Sequence, residues 1–302
     1  MKPMEPTPAK TRFTTEDDIT AEVLRRFEHT PDPRLREIML SLTRHIHAFV
    51  KDVRLNEGEW WKAIEFLTAT GQMCSDKRQE FILLSDTMGI SMLVDLISNG
   101  KPAGATESTV FGPFYREGGP ELSEGGNIAA GIRESAQAGT PTIVTGRVLD
   151  MHGNPIAAAA LDVWQADPDG LYDSQRPDLE ELHMRGVFHT DAEGRYLIRT
   201  TRPVHYQIPT DGPVGAMLAA TDRHPWRPAH IHFKVTADGY SPLTTHLFDN
   251  VDEYLDSDAV FGVKDSLICH FPLHQAHDED SVRFGIDPPF CTCSYDFVLS
   301  PA

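Results

Sequence analysis

The chain has 302 residues, with 45 Asp or Glu against 27 Lys or Arg, a formal charge of −18. So acidic a chain repels nucleic acid and anionic membranes, and neither is expected as a partner. No stretch reaches the roughly 18 apolar residues of a membrane span. The first 18 residues are polar and contain proline. They lack the basic-then-apolar layout of a secretory signal, which predicts a cytoplasmic protein. Cys74, Cys269, Cys291 and Cys293 match no zinc-ribbon or thioredoxin spacing and are expected to be reduced and structural.

Residues 15–100 read as helices. Thr15 with Asp18 forms a capping-box-like start, and Asp32-Pro33 is a cap followed by proline at the first helical position. Leu35, Ile38, Met39, Leu42, Ile46, Phe49, Val50 and Val53 then recur at steps of three and four. Asn56 with Glu59 opens another helix carrying Trp60, Trp61, Ile64 and Leu67, and Asn99-Gly100 is a stop. These apolar stripes read as core or dimer interface. His45 and His47 stand two apart on a helix, point to different faces and are poor metal candidates.

Residues 101–139, Gly-rich and polar, read as a linker, and from about 140 the period changes. Strands are expected at Thr142–Asp150, Ala159–Ala166, Tyr196–Thr200, Ala229–Thr236 and Thr244–Phe248, with turns at His152–Pro155 and Asp191–Gly194. Short strands punctuated by Gly, Pro and Asp predict an antiparallel sandwich, giving an α+β chain. The acidic run Asp249–Asp258 lacks the glycine and spacing of an EF-hand and reads as a solvated surface turn.

Within the strand-like run, His230 and His232 alternate with Ile231 and Phe233, so both imidazoles project from one face. Arg227 lies three residues before the first. Tyr172 and Tyr206 stand in turn-rich segments, Asp167–Asp173 and Val204–Pro213. Taken singly, each has an ordinary reading: a hydrogen-bonded histidine, a surface ion pair, a half-buried ring with a bonded hydroxyl. Together they offer two hard phenolate oxygens and two imidazoles, a set that suits a trivalent iron ion better than zinc.

At these residues the chain resembles the intradiol ring-cleaving dioxygenases, the catechol 1,2-dioxygenase family. The likeness is carried by Gly170–Asp173, Arg185-Gly186, Tyr206–Pro209, Asp211–Pro213, Arg223–Pro225, Arg227–Phe233 and Gly239-Tyr240, in order across roughly residues 106–270. The resemblance implies a helical dimerisation domain (1–105) followed by a β-sandwich catalytic domain (106–302). It also implies one Fe(III) per chain held by Tyr172, Tyr206, His230 and His232, a homodimer built through the N-terminal helices, and a phospholipid between them. Arg227 and Tyr206 take catalytic roles, Arg227 stabilising charge on the ring and Tyr206 leaving the iron to accept a proton.

Ser108–Tyr115, Thr245–Phe248 and Asp256–Lys264 resemble the branch acting on hydroxyquinol (benzene-1,2,4-triol). Catechol-type members usually carry glutamine where His246 stands. The same resemblance implies a pocket lined by Leu83, Asp86, Val110, Phe111, Gly112, Pro113, Ile208, Pro209, Arg227, His246 and Val260. His246 either hydrogen-bonds near the iron or only packs. Asp86 either meets a third ring hydroxyl or is a solvated helix residue. The expected reaction is O2-dependent cleavage of hydroxyquinol to 3-hydroxy-cis,cis-muconate, the enol of maleylacetate. The alternatives are a catechol or chlorocatechol enzyme, a metal-free sandwich of the transthyretin-like kind, and a structural zinc protein, which the phenols disfavour.

Overall fold

A computed structural model describes residues 15–76, 78–130, 139–176 and 182–302. The chain divides into two compact units, Met1–Thr68 and Ala69–Ala302. In the first, helices α1 (Glu16–Phe27) and α2 (Pro33–Asp52) form an antiparallel pair joined by a short turn. Thr15 and Asp18 exchange reciprocal capping bonds, and Asp32 accepts from the amides of Arg34 and Leu35. Asn56 and Glu59 cap α3 (Glu57–Met73) in the same reciprocal way. Local side-chain bonds thus satisfy amides that have no partner inside the helix. His47 bonds Thr20 and His45 bonds Ser41, so the two histidines do diverge.

The apolar stripe of α2 does not make a core. Leu35, Ile38, Leu42, Ile46 and Phe49 are 45–56% exposed, and Trp60 and Trp61 of α3 are about half exposed. Large apolar side chains are thus left exposed along one stripe of the helix.

In the second unit, α4 (Glu80–Thr87) and α5 (Ile90–Ser98) are joined through Gly89, whose φ of 71° is open to glycine without strain. The chain then continues through β1 (Pro141–Asp150), β2 (Ala160–Trp164), β3 (Arg185–His189), β4 (Arg195–Thr201) and β5 (Tyr206–Gln207). Helix α6 (Pro213–Ala220) precedes β6 (Trp226–Arg227), β7 (His230–Thr236), β8 (Leu243–Asp249), β9 (Ile268–Cys269) and β10 (Leu273–His274). Helix α7 (Glu279–Phe284) leads into β11 (Phe290–Ser294) and β12 (Phe297–Leu299).

One sheet runs β10-β11-β1-β12 with β4 also on β1, the other runs β3-β2-β7-β8-β9, and β5 pairs with β6. The expectation of an antiparallel sandwich needs correction, because the sheets are mixed. β1 is antiparallel to β4 but parallel to both β11 and β12, and β8 is parallel to β9. Alternating apolar residues report which face is buried and say nothing of the neighbour's direction. A parallel neighbour needs a long return connection, and here the chain between β1 and β11 supplies it. The sheets enclose one apolar core, with Val144, Val148 and Phe297 from the first and Leu161, Ile231, Phe233, Val235 and Leu247 from the second.

The four cysteines are free thiols. Among the described residues no single helix is long and apolar enough to cross a membrane.

Candidate metal centre

Along β7 the side chains of Ile231 and Phe233 enter the inter-sheet core, so His230 and His232 stand on the outer face of that sheet. This face is itself roofed. Leu83, Met92, Val110, Phe114, Trp164, Ala166, Ile208, Val214 and Val260 make a second apolar cluster that includes both Tyr172 and Tyr206. The two histidines are each 2% exposed, Tyr172 1% and Tyr206 3%. Polar atoms so deeply buried need partners.

Each donor has a local reason for its position. Tyr172 follows a tight turn in which Asp167 accepts from the amides of Asp169 and Leu171 while Arg176 pairs with Asp167. Gly170 in that turn has φ 79°, and a Cβ there would stand 3.1 Å from the Cβ of Tyr206. Glycine therefore lets the two tyrosine loops close on each other. Tyr206 opens β5 directly opposite Arg227 of β6.

The four groups converge. Tyr172 Oη lies 2.9 Å from His232 Nε2 and 3.3 Å from Tyr206 Oη, and the Nε2 atoms of His230 and His232 are 3.1 Å apart. Donors bound at about 2.1 Å to one ion, at angles near 90–110°, are separated by about 3.0–3.4 Å. The spacing matches the edges of a coordination polyhedron. The Pro228 carbonyl stands 2.6 Å from His230 Nδ1, which places the proton there and turns the Nε2 lone pair toward the other donors. The ring of Trp164 stacks on His232 at 4.6 Å and 14°. The arrangement fits a metal ion.

The electrostatics agree. Burial drives the His230 and His232 pKa values well below the usual imidazole range, and the Arg227 charge adds to this. Both rings are therefore neutral and free to donate a lone pair. Burial raises both phenols, Tyr172 well above its ordinary value. Arg227 and the hydrogen bonds at its oxygen oppose that rise at Tyr206. An apolar site resists ionising its own phenols, and a bound cation would draw off these protons at neutral pH.

Arg227 is 2% exposed. Its Nη1 lies 3.3 Å from both Tyr206 Oη and His230 Nε2, while Nε and Nη2 reach Asp258 at 3.1 and 3.3 Å. Burial works against its charge, but Asp258 and the phenols outweigh that and hold its pKa above the usual guanidinium value.

His246, directly across from His232 in the β7–β8 register, is wholly buried, with its ring 4.1 Å from that of His232. Neither of its ring nitrogens has a hydrogen-bond partner. Nitrogens of His230, His232 and His246 lie within 4.8 Å of one another. The expected pocket residues fall into two groups. Asp86, Val110, Phe111 and Gly112 line a cavity of about 470 Å³, and Leu83, Pro113, Ile208 and Pro209 line another of about 530 Å³. Gly112 faces the donors, since a Cβ there would stand 3.5 Å from His232 Cε1. Val260 lines neither cavity but packs in the apolar cluster around the tyrosines.

Asp86 is 2% exposed with an unpartnered Oδ2. The reading of it as a solvated helix residue does not hold, because α4 turns that face inward. The solvated-turn reading of Asp249–Asp258 fails at both ends. Asp249 and Asp258 are buried and pair with Arg202 and Arg227. Sequence reasoning found no role for Asp258, for Trp164 or for the buried Asp173–Arg185 pair. Residues that act through another residue carry no spacing of their own.

Comparisons with known proteins follow this geometry. A family model described as "Dioxygenase" matches residues 110–301, and one described as "Catechol dioxygenase N terminus" matches residues 32–106. These matches define an oxygen-using enzyme of the dioxygenase class. The chain belongs to the intradiol ring-cleavage dioxygenase family. It is 52% identical to a 6-chlorohydroxyquinol 1,2-dioxygenase of Cupriavidus pinatubonensis, over 94% of this chain and 97% of that one. It is 46% identical to a hydroxyquinol 1,2-dioxygenase of a Rhizobium species, over 95% and 96%. A solved hydroxyquinol 1,2-dioxygenase from Pseudomonas putida DLL-E4 superposes with a TM-score of 0.87 at 50% identity, covering 95% of this chain and 99% of that one. A catechol 1,2-dioxygenase from Acinetobacter radioresistens gives 0.84 at 28%, covering 96% and 94%.

Proposed function

We propose that this enzyme cleaves hydroxyquinol between its adjacent hydroxyl-bearing carbons. The product is 3-hydroxy-cis,cis-muconate, the enol of maleylacetate. Both atoms of one O2 enter it and no other atom is gained or lost, so the reaction balances as triol plus O2 to a single dicarboxylic acid. The observation that carries the reading is the set of four buried donors, Tyr172, Tyr206, His230 and His232, spaced 2.9–3.3 Å along a chain of contacts. The hydroxyquinol-cleaving names of relatives that match nearly the whole chain support the choice of substrate.

These four residues would hold one Fe(III) per chain, which when bound supplies Lewis-acid activation of an aromatic diol toward O2. Tyr206 Oη is the atom we assign to carry one proton away from the diol, because Arg227 reaches it at 3.3 Å. Tyr172 is assigned to remain in place, with Phe114 stacked on its ring at 4.7 Å. Arg227, its charge already balanced by Asp258, is a fixed cation facing negative charge that develops on the ring, and no reorganisation is needed when that charge appears. The apolar cluster around the tyrosines excludes water. Asp86 is the group we assign to the third ring hydroxyl, since this buried acid, with one oxygen unpartnered, lines the same cavity as Val110, Phe111 and Gly112. His246 is assigned to the substrate-facing wall.

The exposed apolar face of α2 and α3 supports a homodimer, and we assign a phospholipid chain to the same face. Four free thiols suit a reducing cytoplasm. Oxygen uptake with hydroxyquinol against catechol, with the product spectrum recorded, tests the reading. Hydroxyquinol is expected to be the faster substrate, and catechol turned over faster would overturn the assignment.

A further inference from the structure

Arg185 and Asp173 form a two-point ion pair, Nε to Oδ2 at 2.8 Å and Nη2 to Oδ1 at 2.6 Å, with each side chain about 1% exposed. Apolar residues of equal volume generally stabilise a fold as well as a buried pair does, so stability alone is a weak reason for it. Its connections suggest another. Asp173 is the next residue after Tyr172. Arg185 Nη2 also donates to the carbonyl of Phe114 at 3.2 Å, and the Phe114 ring stacks on Tyr172 at 4.7 Å and 21°. Across the β2–β3 register Arg185 lies opposite Trp164, whose ring stacks on His232. Arg185 therefore braces Tyr172 through Asp173 and Phe114, and its strand pairs with the residue that stacks on His232; these two donors approach each other to 2.9 Å from distant parts of the chain. Tyr206 lies outside the contacts of this pair. Its hydroxyl accepts instead from Arg227 Nη1 and from Tyr172 Oη, each at 3.3 Å.

We propose that Arg185, with Asp173, is a positioning residue for the metal centre. It orients Tyr172 and His232 as the permanent donors and leaves Tyr206 as the one free to leave. The proposal rests on the functional reading above and deepens it.

The full-length parent, Arg185→Lys and Asp173→Asn are to be purified, stripped of metal, checked for folding by circular dichroism at 10 °C and titrated with Fe(III) against a competing chelator. The parent decides the functional reading. Without a red tyrosinate-to-iron band at one iron per chain, that reading fails whatever the variants do. Given a red parent, the folded variants are expected to bind iron about 10–100-fold more weakly, as changes to groups that orient metal ligands do. Their band is also expected to shift or weaken, a signature that lost stability alone does not produce. Parental affinity and band position in folded Arg185→Lys would overturn the proposal. So would failure of both iron-free variants to fold, which would make the pair scaffold only.

Discussion

Removing Arg227 tests whether its charge serves the reaction or the fold. In Arg227→Ala the Asp258 carboxylate stays buried without its cation. Leaving one partner of a buried pair alone costs about 3–5 kcal/mol. The amides of Gly262 and Val260 still donate to Asp258, at 2.9 and 3.3 Å, so the lower end, about 3 kcal/mol, is expected. In a unit of this size that corresponds to a fall in Tm of about 6–12 °C. The catalytic loss is separate: a fixed donor facing developing charge is worth on the order of 10²–10³ in kcat.

The assay is oxygen uptake at saturating hydroxyquinol, normalised to bound iron, beside thermal melting of the same samples. The double variant Arg227→Ala/Asp258→Ala separates the two effects. It removes the stranded carboxylate, so it is expected to recover most of the lost Tm and none of the lost kcat. A kcat within threefold of the parent in Arg227→Ala at equal iron would refute the reasoning. Recovery of kcat together with Tm in the double variant would do the same.

Tyr206→Phe is expected to retain some iron, since Tyr172, His230 and His232 remain, and to lose most turnover; metal analysis beside initial rates checks this, and normal turnover would remove Tyr206 from the chemistry. Burial raises the Asp86 pKa, opposed by Ser91 and Arg227, so the folded state prefers the neutral acid. Its contribution to stability is complete at low pH and is lost as pH rises from the ordinary Asp range, about 3.9, through the folded value. Asp86→Asn imitates the neutral acid, so its Tm should match the parent below about pH 4 and exceed it at pH 7. Equal melting at pH 7 would contradict the burial argument, while the variant's hydroxyquinol-to-catechol rate ratio tests the substrate role. Placing two charges on the exposed stripe of α2, Ile38→Glu with Ile46→Glu, should convert a dimer to a 33.6 kDa chain in sedimentation equilibrium; a parent that already sediments as one chain would refute the dimer.

Much of the chain was readable residue by residue, for a physical reason. The caps at Thr15, Asp32 and Asn56 are bonds between residues two or three apart, so the local sequence contains both partners. The five expected strands overlap β1, β2, β4, β7 and β8 because alternation with period two records which face each strand buries. The same alternation set His230 and His232 opposite Ile231 and Phe233. What the pattern omitted is non-local. It does not contain the direction of a neighbouring strand, so β11 and β12 beside β1 came as parallel partners. Nor could periodicity tell an apolar stripe that builds a core from one left exposed, as along α2.

The site divides in the same way. The four donors are chemically distinctive residue types, and as a set they pointed to iron before any distance was known. Their approach to 2.9–3.3 Å depends on two loops meeting across Gly170 and on an outer sheet face being roofed by α4, α5 and the 110–114 segment. Burial of Asp258 beside Arg227 and of Asp173 beside Arg185 depends on residues many positions away. Acidic residues in the Asp249–Asp258 run look alike as letters. Only the packed fold removes water from some of them, and it is the loss of water that turns a surface charge into a partner that must be matched.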